Sequence, residues 1–399
     1  MLACVLRASQ AHRRYTAGMS VASVVILPVA ATNEPAHLLV LKGYHMGSMW
    51  FTEAFNRMSG CYFHFEFERC LRKLGWRFDR NASTVPSTPT LQFFERGCGC
   101  PDSCGGCVDA QQPSSSSPPR SAPCRVIGVS FGAIGLPYLA HLRGVVQQDP
   151  RIVIVAHVRS NYIKQALSTL RSGCEGVENH VFSSDAAVRP TPPRLRVPPT
   201  LLLFKARGAA RENAKVLADA RSLSGHRLAY VIQYEAMQLD LDGEMRRLLR
   251  AIGVPDGIAA RQRRALTANA VNGTDTVAAR SADTAAPWPP SESVGAEGTL
   301  LVKAGSESAE GALVNFGEVE RYLRPVECLH RMLLATTPML FDHGQCVRAL
   351  DALPPPLLRD LAQLQETAHT YGDRAVLQLN ASECGRLPAP PHVHDHHGR

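Results

Sequence analysis

Three short, almost wholly apolar runs constrain the fold of this chain most strongly. They lie at 37–42, 125–133 and 151–159, and the last of them reads RIVIVAHVR. Uninterrupted runs of this length, rich in β-branched residues, are typical of parallel strands that are buried on both faces of a sheet. Stretches with helical spacing follow two of them, at 48–59 and 161–173. Strands that alternate with helices predict an α/β fold with a mostly parallel sheet flanked by helices.

The same alternation continues towards the C-terminus. Helical spacing predicts helices from about 205 to 222, over 242–255 and over 315–323. The middle one is expected to end at a Gly and a Pro that follow its last periodic residues. An apolar run predicts one more strand over 226–237. These segments extend the α/β pattern over most of the chain.

Two segments interrupt the alternation. Residues of about 82–124 contain a cysteine-rich stretch between runs of Pro, Ser and Thr, and residues 256–298 are rich first in Ala and then in Pro, Ser and Gly. Such turn-forming compositions predict insertions rather than core elements. With 399 residues, the chain is long enough for one large core. We expect one domain over 34–335 with two insertions, then a helical extension and a disordered His-rich tail over 336–399.

The N-terminal segment predicts a leader. Residues 1–33 contain no acidic side chain, and three arginines precede an apolar run from Ala17 to Ala31. That run is shorter than the roughly 20 residues of a membrane span. A basic start, a short apolar run and small residues after it indicate a secretory signal peptide, with an organelle transit peptide or a membrane anchor as alternatives. Any association with a membrane is expected through this segment.

Cysteine content and glycosylation sequons favour the secretory pathway. The chain has 12 cysteines and three N-x-[ST] sequons, at Asn81, Asn272 and Asn380. Many cysteines are typical of an oxidising compartment, and sequons are glycosylated there. We therefore expect the protein in the Golgi lumen. A cluster of four cysteines predicts disulfides, with zinc or free thiols left open; it consists of Cys98, Cys100, Cys104 and Cys107.

The charge of the chain fits an anionic ligand. The net charge is +8 and the isoelectric point is about 9.0. The arginines are scattered rather than gathered into a basic tract, and the sequence contains no RNP, zinc-finger or basic-zipper pattern. Nucleic acid is therefore not an expected partner.

A glycine turn follows the first predicted strand at once. It reads GYHMGSMW over 43–50 and lacks the lysine of the signature G-x-x-x-x-G-K-[ST]. Gly47 lets the backbone approach a ligand closely, because it has no Cβ. The amides at the start of the following helix can then hold an anion without a large side-chain charge.

A second motif follows the strand at 151–159. It reads RSNYIKQALS and begins at Arg159 and ends at Ser168. The glycine turn, this motif and the later YEAM and NFGEV stretches follow one another in an order that resembles the superfamily of sulfotransferases that use 3′-phosphoadenylyl sulfate (PAPS). The resemblance is greatest to its carbohydrate-type and bacterial members, whose second motif is R-x-[DN]-x-x-x-Q-A-x-S. RSNYIKQALS fits that motif at every fixed position. The resemblance runs from about 37 to 325.

The resemblance implies a P-loop NTPase-like sheet with two insertions and PAPS as the sulfonyl donor. It implies that Arg159 and Ser168 bind the 3′-phosphate and that Lys303 lies near the cofactor. Backbone and side chains of the glycine turn would surround the 5′-phosphosulfate; these residues are His45, Met46, Gly47, Ser48, Met49 and Trp50. It also implies that Glu235 orders the corner between strand and helix.

Two catalytic residues follow from the same resemblance. His45 stands where the family has Lys or Arg, and as a protonated imidazole it would stabilise charge on the bridging oxygen. Glu66 is expected to accept the proton of the acceptor hydroxyl. It lies in CYFHFEFERC at 61–70, an alternating stretch that predicts a short strand or a link from strand to helix. If this stretch forms a strand, Glu66 and Glu68 lie on the same face of it.

The expected activity is transfer of a sulfonyl group from PAPS to a hydroxyl, more specifically on a glycan, with no metal required. Two alternatives of other classes stay open. A catalytically silent lumenal binding protein with this fold would explain His45 in place of Lys or Arg. A P-loop kinase is the other, although the Lys-Ser/Thr pair of its signature is absent.

Overall fold

A five-stranded, all-parallel sheet forms the centre of the described chain. The computed structural model describes residues 36–45, 47–56, 61–64, 66–73, 87–96, 126–132, 136–174, 180–183, 194–225, 228–254, 292–294, 300–303, 308–371 and 383–384. The sheet has the order β2-β3-β1-β4-β6. Its strands are β1 (Ala36–Lys42), β2 (Cys61–His64), β3 (Val126–Gly132), β4 (Ile152–Val158) and β6 (Tyr230–Gln233). The predicted α/β class with a parallel sheet is confirmed.

The central strands are buried on both faces, as their apolar runs predict. Every residue of β3 is buried, and so is β1 from His37 to Lys42. β1 pairs in register with β3 on one side and β4 on the other, so that Lys42 lies opposite both Gly132 and His157. Residues at the carboxyl ends of these three strands therefore come together at one edge of the sheet.

Helices cover both faces of the sheet. On one face, α1 (Ser48–Asn56) and α8 (Leu241–Ala251) bury apolar side chains against β1. On the other face lie α2 (Phe67–Lys73), α3 (Thr88–Arg96), α4 (Leu136–Gln148) and the C-terminal half of α6 (Pro199–Leu223). Burial of a Phe or Leu side chain contributes about 1.5–3 kcal/mol. These two layers of helices therefore stabilise the sheet from both faces.

A third apolar cluster lies among helices. It joins α5 (Tyr162–Ser172) and the first half of α6 to helices nearer the C-terminus. These are α9 (Ala309–Ala312), α10 (Phe316–Leu323), α11 (Glu327–Leu334), α12 (His343–Asp351) and α13 (Pro355–Tyr371). The cluster anchors α5, whose N-terminus follows β4 directly. A short α7 (Tyr234–Leu239) comes directly after β6.

A second, smaller sheet is antiparallel. β8 (Leu300–Lys303) lies in its middle, between β5 (His180–Ser183) and β7 (Glu292–Val294). Among the described strands these three alone belong to it. Lys303 ends the middle strand and pairs in register with His180.

The topology creates a crevice beside β1. The helix that follows β1 packs on one face of the sheet, whereas α4, which follows β3, and α6, which comes after β4 and α5, pack on the other. Loops from adjacent strands therefore diverge at the carboxyl ends of β1 and β4. In open α/β sheets, ligands bind at such a switch point.

The structure differs from the sequence-based assignment in two places. The predicted insertion at 82–124 contains helix α3, because Phe93 and Phe94 pack onto the sheet in spite of the turn-forming residues around them. The predicted strand at 226–237 is only four residues long and continues into α7.

The stretch 61–70 is a link from strand to helix, the second of its two predicted alternatives. The strand ends at His64 and the helix begins at Phe67, so Glu66 and Glu68 do not alternate along one strand.

Two disulfides tie the helical part of the chain together. Cys174, just after α5, is bonded to Cys384, and Cys328 is bonded to Cys346. Such bonds are typical of an oxidising, secreted or lumenal environment. Within the described ranges, no helix has the length and apolar composition that a membrane crossing needs.

Several expectations fall on residues outside the described part of the chain. They concern the leader at 1–33, the cluster from Cys98 to Cys107, the sequons, the segment 256–291 of the second insertion and the His-rich tail. They stay predictions.

Replacing Cys174 and Cys384 by Ser is expected to lower the free energy of unfolding more than the same change at Cys328 and Cys346. The first bridge joins residues 210 apart and the second joins residues 18 apart. Because the longer loop restricts the unfolded chain more, the difference should be about 2 kcal/mol. Urea unfolding followed by circular dichroism measures both losses. A larger loss for the shorter loop would contradict this expectation.

Candidate functional site

The loop after β1 has two residues in the left-handed region. His45 has φ 55° and Gly47 has φ 69°. The Gly47 carbonyl accepts a hydrogen bond from the amide of Phe51, 3.1 Å away, so α1 starts directly at the loop. The first amides of a helix have no partners within the helix, and the helix dipole favours negative charge there. The loop thus turns the start of α1 towards the crevice beside β1.

Gly47 is required for a second reason, which is close packing. A Cβ on Gly47 would lie 2.1 Å from Cε2 of Tyr234, at the start of α7. Tyr234 is buried and is also in edge-to-face contact with Trp50, with ring centroids 5.8 Å apart. The loop after β1 therefore packs closely against Tyr234, directly after β6.

Arg159 connects this loop to the end of β4. Its guanidinium is buried, and Nη1 donates to the carbonyl of His45 at 3.2 Å. Cζ lies 4.6 Å from the centre of the Tyr234 ring, and Nε lies 3.4 Å from Oε1 of Glu235. The side chain is thus held by an aromatic face, a carboxylate and the backbone of the loop.

Glu235 fixes the corner between β4 and α5. Its carboxylate accepts hydrogen bonds from the amide and hydroxyl of Ser160, at 2.7 and 3.0 Å, and from the amide of Asn161 at 3.1 Å. Asn161 in turn caps α5 by accepting from the amide of Lys164 at 2.9 Å. This is the ordering role that the sequence predicts for Glu235.

Gln165 shows why the spacing of the second motif matters. One helical turn after Asn161, its side-chain amide donates to the carbonyl of Tyr44 at 3.0 Å. Its own oxygen accepts from Asn213 on α6 at 2.9 Å, and Asn213 also accepts from the backbone amide of Arg159 at 2.9 Å. Three fixed residues of the motif, Arg159, Gln165 and Ser168, therefore contact the loop after β1.

The His45 ring lies over α5. Nδ1 is 3.5 Å from the hydroxyl of Ser168, and Nε2 is 3.3 Å from the hydroxyl of Ser172. The two serines are one turn apart on the same helix face. His45 is thus contacted by Arg159 at its carbonyl and by Ser168 at its ring, so an anion bound beside the loop would meet a guanidinium, an imidazole and a hydroxyl.

A pocket opens on the other side of the loop, at the ends of β1, β2 and β3. Its lining includes Lys42, Tyr44, Glu66, Glu68 and Gly132. Lys42 is almost fully buried, and its Nζ lies 2.8 Å from Oε1 of Glu66. Glu66 has φ 49°, and its amide donates to the hydroxyl of Ser130 at 2.9 Å. The other oxygen of Glu66 is paired with Arg69.

Glu68 is the second carboxylate of this pocket and is buried. Oε1 accepts a hydrogen bond from the amide of Gly132 at 3.0 Å. Burial raises the pKa of Glu68 above its ordinary value of 4.5, although hydrogen bonds and the charge of Lys42 oppose the shift. His157, fully buried next to Lys42, has its pKa lowered to about 3 by burial and by that charge. It is therefore neutral at pH 7.

The structure brings together four of the predicted site residues: His45, Gly47, Arg159 and Ser168. Trp50 is half-buried and packs against Tyr234. Glu66 lies in the pocket on the other side of the loop. Met46 lies outside the described residues, and so do the side chains of Ser48, Met49 and Lys303. Lys303 itself ends β8 in the smaller sheet.

The sequence-based prediction gives no role to Tyr234 or Asn213, and it names Glu68 only as a neighbour of Glu66. Tyr234 is the first residue of the YEAM stretch and directly precedes Glu235, so this motif could have indicated it as a site residue. Asn213 lies inside a long helix, where nothing in the sequence distinguishes it from a surface residue. Its contacts depend on how α6 packs.

Comparison with known proteins assigns no family, because no protein-family model and no curated protein matches this chain. Among the described residues, no group of three or more His, Cys, Asp and Glu side chains is placed to hold a metal ion. The assignment of function therefore depends on the geometry of the loop and its surroundings.

The change Gly47→Ala is expected to destabilise the protein by about 1–3 kcal/mol, because Ala is strained at positive φ and its Cβ would overlap Tyr234. The matched control is Gly208→Ala on α6, where a Cβ has no atom within 4 Å. That change should stabilise the protein by up to about 1 kcal/mol. Chemical denaturation measures both. Equal stability of the two variants would contradict the described loop conformation.

Proposed function

We propose that this protein is a sulfotransferase that moves a sulfonyl group from PAPS to a hydroxyl acceptor. One observation carries the proposal. Arg159 and Ser168 both contact His45 of the glycine loop, the guanidinium at its carbonyl and the hydroxyl at its ring. These are the residues that the resemblance to PAPS-dependent sulfotransferases assigns to the donor. The parallel sheet with its crevice beside β1 is consistent with the P-loop-like fold of that superfamily.

The site has the groups that a bisphosphorylated donor needs. The start of α1 offers backbone amides and a favourable dipole for one phosphate group. Arg159 offers a planar guanidinium, which suits a phosphate because it can donate two parallel hydrogen bonds. Ser168 adds a hydroxyl on the facing helix. The missing lysine of the P-loop signature is thus compensated by backbone donors and by side chains from β4 and α5.

The chemistry requires positioning and stabilisation of charge. PAPS supplies the sulfonyl group and leaves as adenosine 3′,5′-bisphosphate (PAP). His45, if protonated, stabilises the charge that develops on the leaving phosphate. Glu66 is the sequence-predicted proton acceptor, and through its ion pair it also holds Lys42 at the end of β1. No step in this scheme needs a metal ion.

The pocket beside Lys42 is the proposed acceptor site. Its mouth carries Tyr44, which is half-exposed, together with the exposed side chains of Arg69 and Arg72. An aromatic face with polar and charged neighbours suits a sugar ring better than an apolar phenol. We therefore propose a glycan hydroxyl as the acceptor and, from the disulfides and the leader, the Golgi lumen as the compartment.

The alternative is a catalytically silent protein that binds PAP-type nucleotides in the same site. The observation that favours it is the side chain at position 45, which is His in place of a permanently charged Lys or Arg. The kinase alternative has no such support from the described residues.

The change Arg159→Ala is expected to weaken binding of PAP by about 100-fold, because hydrogen bonds to a charged group contribute about 1.5–3 kcal/mol. Isothermal titration calorimetry measures this with the full-length chain. Arg331→Ala, which removes an exposed arginine on α11, is the control for loss of charge alone. Equal binding by wild type and the Arg159 variant would contradict the proposed donor site.

The pH dependence of transfer tests His45. A rate that needs the imidazolium form of His45 should fall as the pH rises and the imidazole loses its proton. The change His45→Lys should keep the rate between pH 7 and 9, because a lysine stays charged there. The change His45→Gln should lower the rate at acidic pH and match the wild type at high pH, where the imidazolium is lost. The rate is that of ³⁵S transfer from labelled PAPS. A wild-type rate that stays flat up to pH 9 would exclude this role.

A further inference from the structure

Glu68 lines the pocket, and one of its carboxylate oxygens is left without a hydrogen-bond donor. It is 3% exposed, and Oε1 is held by the amide of Gly132. Oε2 is buried as well and has no hydrogen-bond partner. Leaving a buried charged acceptor without a donor is costly. A hydroxyl that enters the pocket would supply the missing donor.

The two oxygens of Glu66, by contrast, are both engaged. Lys42 holds one of them at 2.8 Å and Arg69 holds the other. Accepting a proton would cost Glu66 these ion pairs. Glu66 is therefore suited to hold Lys42, whereas Glu68 is suited to accept a proton.

The charges around Glu68 support this division of roles. The charged side chains that line the pocket with it are Lys42, Glu66, Arg69 and Arg72. Burial raises the pKa of Glu68 most; hydrogen bonds from the backbone amides of Glu68 and Gly132 and the charge of Lys42 lower it, and the charge of Glu66 raises it. A carboxylate with a raised pKa is a more effective base near neutral pH.

We propose that Glu68 is the general base of the reaction and that Glu66 is a positioning residue for Lys42. This proposal rests on the proposed function and replaces the sequence-based assignment of the base. Oε2 of Glu68 takes the proton of the acceptor hydroxyl. The acceptor oxygen then bonds to the sulfur of PAPS, while the bond from sulfur to the phosphate oxygen breaks. The leaving PAP keeps that electron pair.

The test compares Glu68→Gln with Glu66→Gln, and with Glu95→Gln as a control on the exposed face of α3. Transfer of ³⁵S from PAPS to a panel of desulfated polysaccharides gives kcat, and calorimetry gives the affinity for PAP. Glu68→Gln should lower kcat by about 100-fold or more and leave the affinity for PAP unchanged. Its melting temperature at pH 7 should rise, because a buried carboxylate becomes neutral.

The outcomes that overturn the proposal are distinct. If Glu68→Gln keeps its kcat and Glu66→Gln loses it, Glu66 is the base. If Glu68→Gln lowers both kcat and melting temperature, its role is structural. If the unaltered protein binds PAP but transfers no label to any polysaccharide, the proposed function fails, and this proposal fails with it.

The pH profile of the wild-type enzyme is a second test. A base acts in its deprotonated form, so kcat/KM should fall as the pH drops through the pKa of Glu68, which lies above 4.5. The midpoint of the acid limb should therefore lie above pH 4.5, and Glu68→Gln should remove this limb. An acid limb centred at or below pH 4.5 would overturn the proposal.

Discussion

The buried guanidinium of Arg159 is the interaction on which the rest of the site depends. It lies over the ring of Tyr234, beside the carboxylate of Glu235 and against the carbonyl of His45. Burying a charge is unfavourable unless it is paired and hydrogen-bonded. Each of these contacts also fixes another element, because Tyr234 packs on Gly47 and Glu235 holds the turn into α5. The ends of β1, β4 and β6 thus form one unit around a single cation.

The two carboxylates near Lys42 show how local environment separates similar groups. Glu66 and Glu68 are two residues apart, yet Glu66 has two ion pairs and Glu68 has a buried oxygen without a hydrogen-bond donor. The end of β2 and the start of α2 produce this difference, because Glu66 adopts a left-handed turn and Glu68 enters a helix. Sequence spacing alone would give the two residues the same role.

The sequence predicts the parallel sheet, the glycine turn and the pair of Arg159 and Ser168, because strand burial and a fixed motif spacing are local signals. It does not predict the hydrogen bond between Asn213 and Arg159, which are 54 positions apart in the chain. Nor does it predict that one carboxylate oxygen of Glu68 lacks a hydrogen-bond donor. Both depend on which helices pack together. The sequence does not indicate helix α3, because turn-forming residues surround it and only the packing of Phe93 and Phe94 defines its apolar face.

The proposed function requires that the loop after β1, Arg159 and Ser168 bind a sulfonyl donor for transfer to a hydroxyl. To test it, the protein is offered ³⁵S-labelled PAPS and γ-³²P-labelled ATP in parallel, with desulfated polysaccharides as acceptors. We expect that ³⁵S is transferred even in the presence of EDTA and that ³²P is not. Transfer of ³²P that depends on magnesium, with no transfer of ³⁵S, would contradict it.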